Sequence, residues 1–268
     1  MRVIIFLILF LTSQLANAQS YPLFKIISCS EGVTLDGVEV KPGLIVYDNS
    51  IKLEIPKKGY AGVITIEGYA HKLGKSIKVK SINGAAKYSN RESKPFWLRG
   101  AIISIDYFTV IGAPQNQFAQ IMGDSVFFHF RSNYNENPPF TGIFLNMFDD
   151  VLLSDTLKGN WKIFDIGDLL KKEGAILFRI ESSKNKSIQY LIKSGDQKLE
   201  AKINFEINRV HNDLIAKLAL HELNNLYYDH LFQLYKIETT KNLNLDPISA
   251  AYLAKRREKY QLDQYNLK

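Results

Sequence analysis

Between Gly32 and Ile82 the chain reads GVTLDGVEVKPGLIVYDNSIKLEIPKKGYAGVITIEGYAHKLGKSIKVKSI. Short apolar runs are broken every few residues by Gly, Pro, Asn and Asp, which leaves no room for a helix. Phe24–Cys29 is expected as a first strand. Val33, Leu35, Val38 and Val40 flank Asp36-Gly37, a strong signal for a two-residue hairpin turn. Ile51, Leu53 and Ile55 alternate with Lys52 and Glu54, so one face is buried and the other wet. Tyr60–Ile66 is nearly all apolar and predicts a central strand. Leu73, Ile77 and Val79 resume the alternation, with Lys72, Lys78 and Lys80 facing water. Six or seven short strands at this spacing predict a small β-sandwich or barrel over residues 19–85.

The chain has 268 residues, enough for two or three domains, and is 46% hydrophobic and 23% charged, as globular proteins are. Its net charge of +7 is dispersed in pairs such as Lys57–Lys58 and Lys171–Lys172 and in the looser run Lys255–Lys259. A nucleic-acid binder would concentrate that charge in a stripe or a recognition motif. Attraction to an acidic partner or an anionic envelope surface is the inference that remains. A single cysteine, Cys29, excludes an intramolecular disulfide.

Arg2, the apolar run Val3–Leu11 and the small-residue site Ala16-Asn17-Ala18 have the form of a secretory signal peptide over residues 1–18. The run is too short to span a bilayer, which takes ~20 residues. Cleavage would leave Gln19 as the new N-terminus, with no transmembrane span in the mature chain, and places the protein in the periplasm or at the outer membrane. Ile26-Ile27-Ser28-Cys29 resembles the tail of a bacterial lipobox. It stands far beyond the apolar run, with Pro22 and Lys25 between, so Cys29 is expected as a buried strand residue.

The order of hairpin GVTLDGVEV, KPG turn, DNSIKLEIPKKGYAGVIT and a segment ending HKLGKSIKV resembles the FecR-like β-domain of bacterial envelope proteins. The resemblance covers about sixty residues. It implies an adhesive or adaptor module of the kind seen in Bacteroidetes-type envelope proteins, without residues that perform chemistry.

Residues 86–106 are polar and turn-rich around Lys94-Pro95 and read as a linker. Strand-like runs then follow at Phe108–Ile111, Ser125–Phe130, Thr141–Met147, Val151–Leu153, Asn160–Asp165, Ala175–Glu181, Ser187–Ile192 and Ala201–Ile207. Their spacing predicts an immunoglobulin-like sandwich over residues 107–207, with Trp161 as a candidate core residue and a helical turn at Asp165–Lys172. From residue 208 to 268 the period changes. Val210, Leu214, Leu218 and Glu222 share a helical row, Leu226–Tyr235 reads as a second helix, and Asp246-Pro247 is a preferred N-cap and N1 pair for a third. Asn224-Asn225, Tyr227-Tyr228-Asp229 and Leu245-Asp246-Pro247 resemble a degenerate tetratricopeptide hairpin. About one and a half units fit where a free stack needs about three, so the helices are expected to dock on the sandwich or on a partner.

The fold class expected is mainly β with an α-helical C-terminal tail. Gly123-Asp124-Ser125 resembles the nucleophile block of GDSL-type hydrolases, but Ser125 precedes a strand and the chain has no Asp-x-x-His, so a polar turn accounts for it. The histidines His211, His221 and His230 are spaced too widely for a helical metal pair. No residue is assigned a catalytic, cofactor-binding or metal-ligating role. The expectation is a non-enzymatic, exported cell-envelope adaptor or structural protein with an envelope protein as partner. The alternative is a carbohydrate- or peptidoglycan-binding module using Trp97, Trp161, Tyr227 and Tyr228 as platforms.

Overall fold

A computed structural model describes residues 21–82, 108–111, 113, 118–133, 138–240 and 243–260. The expected signal peptide and the linker with Trp97 lie outside the described residues. Strands β1 (Phe24–Cys29), β4 (Ile45–Val46), β6 (Ala61–Thr65) and β7 (Ala70–Leu73) form an antiparallel sheet in the order β4-β1-β6-β7. A second sheet has the order β3-β2-β5-β8, from β2 (Thr34–Leu35), β3 (Val38–Glu39), β5 (Lys52–Glu54) and β8 (Ile77–Lys78). The hairpin between β2 and β3 turns on Asp36 (φ 46°) and Gly37 (φ 82°), the pair of positive angles that Asp-Gly is chosen to supply. Phe24, Ile26, Leu53, Ala61 and Val63 form a core shared by the two sheets, which do not close into a barrel.

Every residue of β1 and β6 is buried. Both faces of their sheet are covered: Ile26 and Val63 point into the small core, while Ile27 and Ile64 join a larger one. A register shift between Ile26 and Ser28 accompanies the change of face along β1. This explains why the central strand reads as continuously apolar.

The larger sandwich pairs a three-stranded with a five-stranded sheet. The first holds β9 (Phe108–Ile111), β11 (Ser125–Ser132) and β14 (Trp161–Asp165) in the order β14-β11-β9. The second holds β10 (Phe118–Ile121), β12 (Phe140–Leu145), β13 (Val151–Leu157), β15 (Ala175–Glu181) and β16 (Tyr190–Ser194) in the order β10-β16-β15-β12-β13. Only β10 with β16 is parallel among these pairings. With β9 and β10 as the two halves of strand A, the orders become E-B-A and A′-G-F-C-C′, an immunoglobulin-type arrangement. Phe128 of one sheet stacks on Phe178 of the other with centroids 3.9 Å apart, and Phe164 meets Phe144 edge-on at 5.0 Å. Trp161 is not in this core. It lies on the opposite face of the three-stranded sheet, half-buried against Phe127.

Two strand expectations are corrected. Phe118–Ile121 is a strand that the polar context of residues 114–117 hides. Ala201–Ile207 is not a strand; it lies within helix α2 (Gln197–Arg209). Its alternating apolar residues mimic period two, but Asp196 caps the helix by accepting from the Leu199 amide at 2.7 Å. Ile203 and Glu206, three apart, are the buried positions, and Phe205 is exposed. The helical turn expected at Asp165–Lys172 is α1 (Gly167–Glu173).

The helical region continues with α3 (Leu214–Leu223), α4 (Tyr227–Thr239) and α5 (Pro247–Tyr260). The chain breaks before α3, where His211 takes φ 47° and Asp213 caps the helix, so Val210 does not share its row. Helix α4 packs on β10 and β11, α3 on β1, β6 and β7, and α5 on β6. The helices therefore form a layer that fills the space between the two sandwiches, and the larger core runs from Ile27 and Ile64 through Leu218 and Tyr252 to Phe128. At Gly68 (φ +81°) a Cβ would stand 2.5 Å from the Ala251 carbonyl oxygen, so α5 approaches this turn closer than any side chain permits. Among the described residues, no helix is long and apolar enough to cross a membrane.

Candidate functional site

The polar groups at the joints decide which surfaces are free. Lys25 on β1 is buried, and its ammonium lies 2.5 Å from Asp213 Oδ2 and 2.9 Å from Asp246 Oδ2. Each aspartate caps a helix with its other oxygen, Asp213 on Ala216 N and Asp246 on Ser249 N, both at 2.9 Å. One strand cation thus ties the starts of α3 and α5 to the small sandwich. Burial pulls the Lys25 ammonium down, but hydrogen bonds and charge from Asp213 and Asp246 outweigh it and hold its pKa above the ordinary value. Nearby, Tyr60 donates to Glu206 and Arg209 donates to the Cys29 carbonyl at 2.7 Å, fastening α2 to the same sheet.

Within the helical layer, Glu222 Oε2 accepts from Arg256 Nη2 at 2.6 Å, Arg256 Nε at 2.9 Å and the Tyr252 hydroxyl at 2.6 Å. Burial raises this carboxyl, but the Arg256 guanidinium and other donors hold it below the usual carboxylate range. An oxygen that accepts three hydrogen bonds is a poor general base; the cluster holds α3 to α5. His230 faces this network. Its Nδ1 lies 3.0 Å from the Leu218 carbonyl and so carries the proton, and burial lowers its pKa to about 4. His221 is likewise lowered to about 4 by burial, with the charge of His230 adding to the effect. Among the described residues, no three His, Cys, Asp or Glu side chains converge as a metal ion would require.

Gly123-Asp124-Ser125 is a turn held from outside. Asp229, in the first turn of α4, accepts from Met122 N at 3.0 Å and Gly123 N at 2.9 Å. Burial raises the Asp229 pKa to about 6 against the pull of those two amides. Ser125 opens β11 and pairs with Asp165 of β14, whereas a nucleophile elbow would place it at the start of a helix.

The aromatic candidates separate. Trp97 is outside the described residues. Tyr228 is 1% exposed and meets Phe128 edge-on at 5.0 Å, so it is a core residue and is withdrawn as a platform. Its neighbour Tyr227 is partly exposed. Adjacent helical positions point ~100° apart, which is why the two do not act as a pair. Trp161 is half-buried beside a cleft lined by Asp155, Thr156, Lys158, Gly159 and Lys162.

The most exposed apolar group was not singled out by sequence reading. The expected strand Thr141–Met147 ends at Leu145, and Met147 and Phe148 form the tip of the β12–β13 hairpin, 57% and 87% exposed, with Val151 beside them at 60%. The tip is braced from within. Asn146 Oδ1 accepts from the amides of Phe148 at 2.8 Å and Asp150 at 3.0 Å, and Asn146 Nδ2 donates to Asp150 Oδ2 at 2.9 Å. Asp149 holds φ 66° and accepts from Gln189 at 3.1 Å. The signal available was an apolar pair enclosed by Asn146 and Asp149-Asp150, residues that favour turns over strands.

No family model, curated protein or solved structure matches the chain.

Proposed function

We propose that this protein is a non-enzymatic, exported cell-envelope adaptor that works by protein–protein contact. The Met147–Phe148 tip carries the reading. Large exposed apolar side chains carried on a hydrogen-bonded turn bind with less of the ordering cost that a floppy loop incurs. Asp149 and Asp150 beside them favour a partner whose apolar socket has a basic rim. The buried Lys25 and Glu222 clusters support the same reading, because they spend their charges on joining the parts into a rigid support. Export rests on the leader-like residues 1–18. The FecR-like and tetratricopeptide-like resemblances belong to the same proposal, the first packed on the helical layer that contains the second.

The test is affinity capture from envelope extract with the mature chain and with a Met147→Ser/Phe148→Ser variant. A protein retained by the wild type and lost with the variant is expected. Identical captures by the two chains would remove the tip from the account.

A further inference from the structure

A second surface is built differently. On the side of the larger sandwich where the edge strands β13 and β14 face each other, a cleft of about 600 Å³ is lined by Asp155, Thr156, Lys158, Gly159, Trp161 and Lys162. That volume lies within the ~300–1,000 Å³ that small-ligand sites occupy. We propose that it binds a saccharide unit carrying a carboxylate.

The chemistry of the lining carries the proposal. Trp161 is the half-buried outer member of a three-ring cluster. Its centroid lies 5.9 Å from Phe127 and 5.5 Å from Tyr235, which themselves stack at 5.0 Å. The indole is therefore fixed before any ligand arrives. An aromatic face is electron-rich and attracts the weakly positive C–H groups of a pyranose ring. Lys162 lines the same cleft; its ammonium is paired with the Asp155 carboxylate and donates to the Thr156 carbonyl at 3.1 Å. A donor and an acceptor held side by side suit adjacent hydroxyls, each of which both gives and accepts a hydrogen bond. Exposed Lys158 adds a second ammonium. Two cations against one carboxylate leave the cleft net positive, which selects an acidic sugar over a neutral one.

A single-stranded nucleic acid is the competing ligand, since it also uses aromatic rings and lysines. It would need cations that track a backbone and stacking platforms in series. Among the described residues this cleft has one platform. The cleft is also distinct from the hairpin tip. The two stand at opposite ends of β13, ~20 Å apart at ~3.4 Å per residue. Protein contact at one end and glycan contact at the other are thus independent, and either test can fail alone.

The experiment uses the full mature chain with Trp97→Phe, so that Trp161 is its only indole. Indole fluorescence and calorimetry follow titration with the glucuronate–N-acetylglucosamine disaccharide, with chitobiose as its neutral counterpart and with a short oligothymidylate. Saturable binding of the uronate is expected, weakened about tenfold in chitobiose and about tenfold by Lys158→Ala, an exposed change that leaves packing intact. Trp161→Phe should abolish it. Absence of saturation up to about 10 mM would overturn the proposal. So would binding that Lys158→Ala leaves unchanged, or chitobiose binding as tightly as the uronate. Tighter binding of the oligothymidylate would replace the saccharide with a nucleic acid.

Discussion

Replacing Lys25 by methionine removes the cation that joins the small sandwich to two helix starts. Methionine fills much of the same volume, so the change is mainly electrostatic. Asp213 and Asp246, each about a quarter exposed, would then face each other with no counter-charge. Removing one partner of a buried ion pair costs roughly 3–5 kcal/mol, whereas a surface pair is worth ~0–1 kcal/mol. Lys25 is 6% exposed, but water reaches the two carboxylates, so the lower end applies, about 3 kcal/mol. For a chain of this size that corresponds to a melting temperature lower by roughly 6–12 °C. The Lys25→Met/Asp213→Asn/Asp246→Asn variant separates charge from packing. Asparagine keeps both caps, and no charge is stranded. Its stability should return to within about 1 kcal/mol of wild type. Chemical denaturation of the three proteins decides. A single variant within about 1 kcal/mol of wild type, or a triple variant as unstable as the single one, would refute the idea that this cluster is a joint.

Other consequences follow from the same packing. Burial lowers His129, His221 and His230 from 6.5 to about 4, so each favours the fold while neutral. That stability is present above pH 6.5 and lost as pH falls through about 4, each gap being worth roughly 3 kcal/mol. Asp229, raised from 3.8 to about 6, works in the opposite sense and offsets part of the loss as it protonates. Acid unfolding should therefore fall between pH 6.5 and 4, and His230→Leu should move its midpoint lower; tryptophan fluorescence against pH measures both. Gly68→Ala should cost roughly 2–3 kcal/mol from the clash with Ala251, while Gly74→Ala, with nothing within 4 Å, should stay within about 0.5 kcal/mol, as denaturation curves will show. Cys29 is buried, with burial raising its thiol pKa and Arg209 opposing the rise. It should resist alkylation in the native protein and react only as the small sandwich opens, which mass spectrometry can time.

The local features were readable because local chemistry decides them. Asp36-Gly37 is one of the few pairs that accepts two positive φ angles, and Asp246-Pro247 starts a helix by its own hydrogen bond and ring. Ala201–Ile207 misled because a partly exposed helix tolerates Phe205 on its wet side, which makes its pattern imitate a strand. The joints were hidden for a different reason. Lys25 and Asp246 are separated by 221 residues, and nothing local in either segment marks the other as its partner. Lys25 reads as a solvated charge in a strand until the helices are placed over it. The inward turn of Tyr228 and the outward turn of Met147–Phe148 are likewise decided by what packs nearby: Phe128 covers the first, and the second pair stays exposed.

The adaptor reading stands on Phe148 meeting a protein. A photo-crosslinking amino acid placed at position 148, in cells that export the protein, tests this at the residue concerned. One dominant covalent adduct with an envelope protein is predicted, absent when the crosslinker is placed at exposed Lys184 instead. Illumination that yields no protein adduct at 148, or the same adducts at both positions, would contradict the account.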